Sequence, residues 1–459
     1  GEDGTLSLPG SVNLTAAFIT HPGISAAGKD MTLAAGGMDM SGGNVSAVGK
    51  LGLTTSGDIT TRNAVLHGGS VDIAASNVRN QDGKITSASE AVVKLGGELD
   101  NTAGLIAAAN DARIDAARIG NAGGTLAGAN LTLVATGAVN NQGGLIQADD
   151  TLTLNAASLD NRATLTASGS PPKGVLAKTA TIVAGGINNQ SGAISAGQDL
   201  TLDTGELDNT GGNIAAERYA TIKAAMLKNH QGKLLAGERL AVNVDALQGL
   251  GTLHSAQDLS FTYTGSLNQT GDLAAGRDLT MSVGGNMDNS ATVSAGRDLT
   301  ITANALNNQA SGELLAGRNN TINVTNGLTN SGLIDNFGRI YGNTIAIRAG
   351  EIVNGAGPGG GAVIASRGDL DIGVGSLVNR EHGLIYAAGD MRIGSALDAN
   401  RKAIGQAASL VNASATIEAA GNAVISAVSL QNINTNYASE VVPVQKVPKL
   451  YVTPAGTTD

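Results

Sequence analysis

The stretch "SAGRDLTITANALNN" (294–308) repeats, one step later, what "AAGRDLTMSVGGNMDN" (274–289) already spells, and the hexapeptide AGRDLT stands at both Ala275–Thr280 and Ala295–Thr300. Aligned on this hexapeptide, the chain follows the pattern G-x-I-x-A-G-x-D-L-x-L-x-A-x-x-L-x-N. "GAISAGQDLTLDTGELDN" (192–209) fits it, and so does "GLIYAAGDMRIGSALDAN" (383–400). The leading aliphatic recurs at Ile24, Val45, Val65, Ile85, Ile106, Ile146, Ile194, Ile214, Leu234, Leu253, Leu273, Val293, Leu314, Ile364 and Ile385. The step is about 20 residues, a solenoid period, and gives about nineteen copies.

Within a copy, Leu200 and Leu202 alternate with Thr201, which is strand periodicity. Ile194 opens that copy and Leu207 closes it. No apolar group keeps helical spacing over a helix-length window. Three short strands per copy, joined by Gly, Asn and Asp turns, describe one triangular coil. The expected fold is therefore all-β: a right-handed parallel β-helix in which each strand pairs with its equivalents above and below. With about 4.8 Å per rung, nineteen rungs make a rod of roughly 90 Å.

Composition agrees with a narrow interior. Of 459 residues 65 are glycine, aromatics make up 2%, and cysteine and tryptophan are absent. Aliphatic ladders with Ala and Gly at close approaches would fill such a coil. The asparagines that close most copies (Asn80, Asn101, Asn121, Asn161, Asn209, Asn229, Asn289, Asn308, Asn330 and Asn379) are expected to stack as an amide ladder, with αL turn geometry available to them.

Proline cannot donate to a strand ladder, so it marks the interruptions. Residues 1–22, with Pro9 and Pro22, form the start of the rod or a preceding segment. The regular coil spans 23–435. "SGSPPKG" (168–174) and "GAGPGGG" (355–361) break the period and are expected to leave the rod as loops. The tail 436–459 loses the repeat and reads as the entrance to another domain.

Several function classes recede. A net charge of −10, spread along the chain, lacks the basic footprint that nucleic acid requires. No run of eighteen apolar residues could span a membrane as a helix. Catalysis would need acids or bases converging on one substrate. The aspartates Asp111, Asp199, Asp258, Asp278, Asp298, Asp369 and Asp390 instead share one repeat slot, where a turn carboxylate accepts backbone N–H bonds. His21, His67, His230, His254 and His382 differ in repeat phase and cannot cluster on a metal. No catalytic, cofactor-binding or metal-ligating residue is assigned, and no cofactor is expected.

Two surface features remain. Arg277, Arg297 and Arg318 occupy one slot in three successive rungs. They form an exposed basic stripe beside Asp278 and Asp298, read first as a solvated charge ladder and alternatively as a site for an anionic glycan. Arg367-Gly368-Asp369 spells the integrin tripeptide, yet "IASRGDLDI" overlays "ISAGQDLTL", so the repeat alone accounts for its Gly and Asp.

The copies resemble the haemagglutinin repeats of filamentous haemagglutinin and related two-partner secretion exoproteins, most clearly over "SAGRDLTITANALNNQASGELLAGR" (294–318). "GSLVNREHGLIYAAGDMRIG" (375–394), with "NASATIEAAGNAVISAVSLQNINTNY" (412–437), resembles the end of the first repeat block of contact-dependent growth inhibition effectors. The resemblance implies a non-enzymatic rod exported through an outer-membrane two-partner secretion transporter and displayed on a Gram-negative surface. It further implies that other domains contact a receptor on a neighbouring bacterium or host cell and deliver a toxin. An adhesin whose rod binds host glycans or receptors directly is the alternative. The absence of cysteine suits such export, because no disulfide can form before threading.

Overall fold

The computed structural model describes residues 5–325, 332–355, 361–435, 437, 439 and 440. Among these residues every regular element is a β-strand. The strands stack in parallel as a β-helix of about 21 turns with a spacing near 20 residues, or about 100 Å at the usual strand separation. One rung shows the plan. Leu273–Ala275, Leu279–Val283 and Asn286–Asn289 lie on the first, second and third sheets. They pair in register with Val293, Leu299 and Leu306 of the next rung.

Alternation follows from the pleat, which sends successive side chains to opposite faces. Leu200 and Leu202 are buried and point inward, while Thr201 faces out. Stacked aliphatics make one continuous core from Val12 to Leu410. Phe261 is the aromatic enclosed within it.

The structure moves several sequence assignments. The first sheet aligns Leu6, Ser25, Val45, Leu66 and Ile85. The inward residues are therefore Ser25 and Leu66, whereas Ile24 and Val65 face solvent. Thr5–Leu8, Val12–Ala16 and Ile19–Thr20 pair with the following rung, so residues 5–20 are already a full coil that the count of nineteen omits. Gly174 belongs to a strand, not a loop: it opposes Leu145, and its N–H donates to the Gly144 carbonyl at 2.7 Å. The excursion there lies between Asp160 and Gly174. Of the 355–361 interruption, residues 356–360 lie outside the described residues, as do Asn330, Asn436 and residues 441–459.

A second excursion escapes the sequence pattern. "SALDAN" looks like the close of a copy, yet Leu377 and Asn379 pair with Leu410 and Asn412. The intervening residues form an antiparallel hairpin, Ala396–Leu397 against Ala403–Ile404, laid on the second sheet. Gly373 permits this docking, since a Cβ there would stand 2.5 Å from the backbone carbon of Ala396.

Candidate functional site

The polar spine of the rod is internal. Asn80 donates to Asn101, and the chain of amides continues through Asn121, Asn141, Asn161, Asn189 and Asn209 to Asn229, each Nδ2 lying 2.7 or 2.8 Å from the next Oδ1. A second run joins Asn289, Asn308, Asn336, Asn354, Asn379, Asn412 and Asn432. The sequence pattern omits Asn141, Asn189, Asn336, Asn354, Asn412 and Asn432. The ladder asparagines do not themselves adopt positive φ; that falls two residues on, at Asp82, Ala103, Gly123, Gly143 and Ala163. The turn geometry thus resides in the neighbour, and the asparagine side chain is free to point inward. These amides hold the coil together, and from Asn80 to Asn379 they are buried and closed to a ligand; Asn412 is half-buried and Asn432 exposed.

The arginine stripe is neutralised from within. Arg277, Arg297 and Arg318 each reach back one rung, to Asp258, Asp278 and Asp298, with Nε–Oδ1 distances of 2.7, 2.7 and 2.8 Å. Their Nη2 groups engage the second carboxylate oxygen. Arg218 pairs with Asp199 in the same fork-to-fork manner. The guanidinium hydrogen bonds hold the Asp199, Asp258 and Asp298 carboxyls below the usual range. The same aspartates accept a backbone N–H of the next rung, as from Asp298 at 3.3 Å to Asp278 and from Asn319 at 3.2 Å to Asp298. With its charge matched by its own aspartates, the stripe offers an anionic glycan little net field.

The tripeptide 367–369 is likewise taken up by the fold. Asp369 accepts the Asp390 N–H at 3.1 Å and the Lys402 ammonium at 3.0 Å. Lys402 also reaches Asp371, which is almost fully buried beneath the hairpin, at 3.1 Å. Arg401 donates to Thr321, so the hairpin is tied across several rungs. Neither Asp371 nor Lys402 is conspicuous in sequence: Asp371 stands in the outward slot that Thr280, Thr300 and Thr321 fill in other rungs, and Lys402 lies in the hairpin outside the repeat.

Arg367 turns the other way. Its Nη2 donates to the Gly317 carbonyl at 2.9 Å, and its side chain walls a groove of about 490 Å³ with Tyr341, Tyr386, Ala365, Ser366 and Gly342. Tyr341, Ala365 and Tyr386 are consecutive outward residues of one column, so the tyrosines stand two rungs apart with alanine between them. The sequence signal for this groove is slight: two of the chain's six tyrosines in one repeat phase.

The histidines stay apart. His67 contacts Thr86 at 3.0 Å, and burial holds His21 below the usual imidazole range. No group of three or more His, Asp and Glu side chains is placed to hold a metal among the described residues, and no helix there is long and apolar enough to cross a membrane.

A parallel β-helix with this repeat defines a class of elongated surface proteins. The haemagglutinin repeat model matches in overlapping segments, 10–67, 41–103, 69–143, 107–171, 174–240, 235–291, 278–332, 342–422 and 385–436. The chain belongs to the haemagglutinin repeat family. Comparison with curated proteins and with solved structures returned no match.

Proposed function

We propose that this chain is the elongated stalk of a secreted bacterial exoprotein. In this reading an outer-membrane two-partner secretion transporter exports it and it remains at the cell surface. There it holds a receptor-binding and toxin-delivery region out toward neighbouring cells in contact-dependent growth inhibition. The observation that carries the reading is the stacking itself: parallel rungs follow one another from Thr5 to Ile433, and the conspicuous polar residues are spent on neighbouring rungs. Such a rod converts residues into reach at about 4.8 Å per rung. Each rung contacts only its neighbours, so coils can fold in sequence as they leave a pore. The test is to shorten the rod by whole rungs in the full-length protein and measure surface display and killing of neighbouring cells separately.

A second reading, an adhesin that binds through the rod, is favoured by the Tyr341–Tyr386 groove. Apolar aromatic walls with one guanidinium suit a small ring-bearing ligand with an acidic group. Binding of the purified rod to target cells, lost in Tyr341→Ala/Tyr386→Ala with unchanged melting, would support it. Equal binding of both proteins would remove it.

A further inference from the structure

The stack is uniform along two of its sheets and interrupted along the third. Third-sheet pairing runs from Ile19–Thr20 up to Arg239–Gln248, each rung on the last. It resumes at Leu267–Gln269 with Met287–Asn289 and continues to Ala427–Ile433. Between Ala246–Gln248 and Leu267–Gln269 there is no ladder pairing, although the second sheet still joins Arg239–Val244 to Asp258–Tyr263. The first sheet is continuous but thin just above, where only His254 and Ser255 pair with Ala274 and Ala275.

The amide spine fails at the same level. Asn229 has Gly249 above it instead of asparagine, and its Nδ2 turns to the Leu250 carbonyl. The next ladder position is Gln269, fully buried, with its Oε1 unpartnered and its amide bonded to the Gly271 carbonyl. The turn at this level differs from those below it. Outside the excursion after Asp160, the inward aliphatics of the third and first sheets are seven residues apart from Met38–Val45 up to Leu227–Leu234. Six-residue spacings begin with Leu247–Leu253 and continue at Leu267–Leu273 and Met287–Val293, where the third sheet is paired again, so the spacing marks the change of turn and the glycines set this one apart. The shortened turn, "QGLGT", is built on two positive-φ glycines, Gly249 and Gly251. In this turn a side chain at Gly249 is disfavoured twice, by its positive φ and by the His230 ring, which would stand 2.4 Å from a Cβ there.

We propose that the level between Leu247 and Leu267 is a built-in joint that divides the rod into two stiff segments. A solenoid is a sum of rung stabilities and nearest-neighbour interfaces, so the interface lacking one sheet and its amide bond is where opening begins. The first two sheets act as the connecting leaf, and the rod bends by parting on the third-sheet side. This goes beyond the stalk reading, which requires no particular rung to differ, and it stands or falls on the isolated protein alone.

The experiment is native-state hydrogen exchange on the whole chain, followed by repair of the turn. Amides of Ala246–Gly251 and Gly265–Gly271 are expected to exchange at least about tenfold faster than the equivalent amides of Met226–Gly232, the scale set by subglobal opening. Limited proteolysis is expected to cut first between Asp245 and Asp272. Replacing Gln248–Thr252 with the regular turn sequence of Lys228–Lys233 restores the spacing and an asparagine, and is expected to slow exchange to the level of the flanking rungs. Exchange at the junction equal to that of its neighbours in the native protein would overturn the proposal. So would fast exchange that the folded repair variant leaves unchanged. If the repair variant does not fold, the native exchange map and the position of the first cut decide the matter.

Discussion

Asn121 donates from Nδ2 to Asn141 Oδ1 at 2.7 Å while its own Oδ1 accepts from Asn101 at the same distance, in a site closed to water. Each amide is thus the donor for one rung and the acceptor for the other. Asn121→Ala strands the Asn141 Oδ1, while the Asn101 amide keeps the Gly104 and Thr125 carbonyls, and a buried polar group left unpaired costs about 1–3 kcal/mol. The expected result is a lower unfolding midpoint in urea with exchange accelerated mainly around Asn101 and Asn141. An unchanged midpoint would mean that the ladder contributes no net stability.

Leu299 stacks above Leu279 and beneath Asn320, and is fully buried. Asn320 already gives its amide hydrogens to the Leu314 and Tyr341 carbonyls. A carboxylate at 299 would find no donor there. Leu299→Asp is expected to destabilise by on the order of 4 kcal/mol or more, with local protease sensitivity, whereas Leu299→Met stays within about 1.5 kcal/mol. Proteolysis of the two variants side by side checks this, and equal resistance would refute the inward phase.

The forked ion pairs have an acid signature. Asp258 and Asp298 are held below the ordinary carboxylate range, chiefly by hydrogen bonds from Arg277 and Arg318. A depressed folded pKa adds stability above the unfolded value, roughly 3.9, and that stability is lost as pH falls through the folded value. The melting temperature is therefore expected to be flat from pH 7 to about 5 and to drop below about 4. Arg277→Gln/Arg318→Gln should shrink the acid drop while changing little in high salt, where exposed pairs are already screened. An identical pH profile in the variant would show that these pairs are neutral in their effect.

The two excursions should respond differently to surgery. Deleting 168–173 removes residues between strands and is expected to leave melting nearly unchanged. Extending the deletion through Gly174 removes the residue opposite Leu145 and should lower it. Gly373→Ala forces a methyl group into the Ala396 backbone. It should release the 395–406 hairpin to protease while the coil stays intact. A hairpin as resistant as in the parent would mean that it docks elsewhere.

Much of the coil was legible because one rule, strand alternation repeated every rung, fixes Leu200, Leu202 and Leu299 as inward without reference to the rest of the chain. The rule weakens where two aliphatics adjoin. At Val65-Leu66 either could face in, and pairing with Val45 and Ile85 decides. At Ile24-Ser25 the inward residue is the polar one, which hydropathy cannot foresee. The hairpin was invisible because Leu397 and Asn400 mimic the spacing that closes a rung, while the true partners, Leu410 and Asn412, stand thirteen and twelve residues on. The pairing of each arginine with an aspartate one rung back was partly legible, since the two occupy adjacent slots of the repeat. The Tyr341–Tyr386 groove depends on contacts between rungs, and a single copy does not contain it.

The central claim is that length, not a particular rung, carries the function. Deleting residues 213–232 joins Gly212 to Lys233 in register, because Asn213 and Lys233 are already partners. That shortens the rod by only about 5 Å. In the full-length protein this deletion is expected to leave export, display and killing of neighbouring cells near parental levels. Removal of ten rungs, about 50 Å, should depress killing while export and display persist. The contradicting result is a single-rung deletion elsewhere in the regular blocks that abolishes activity with folding and display intact.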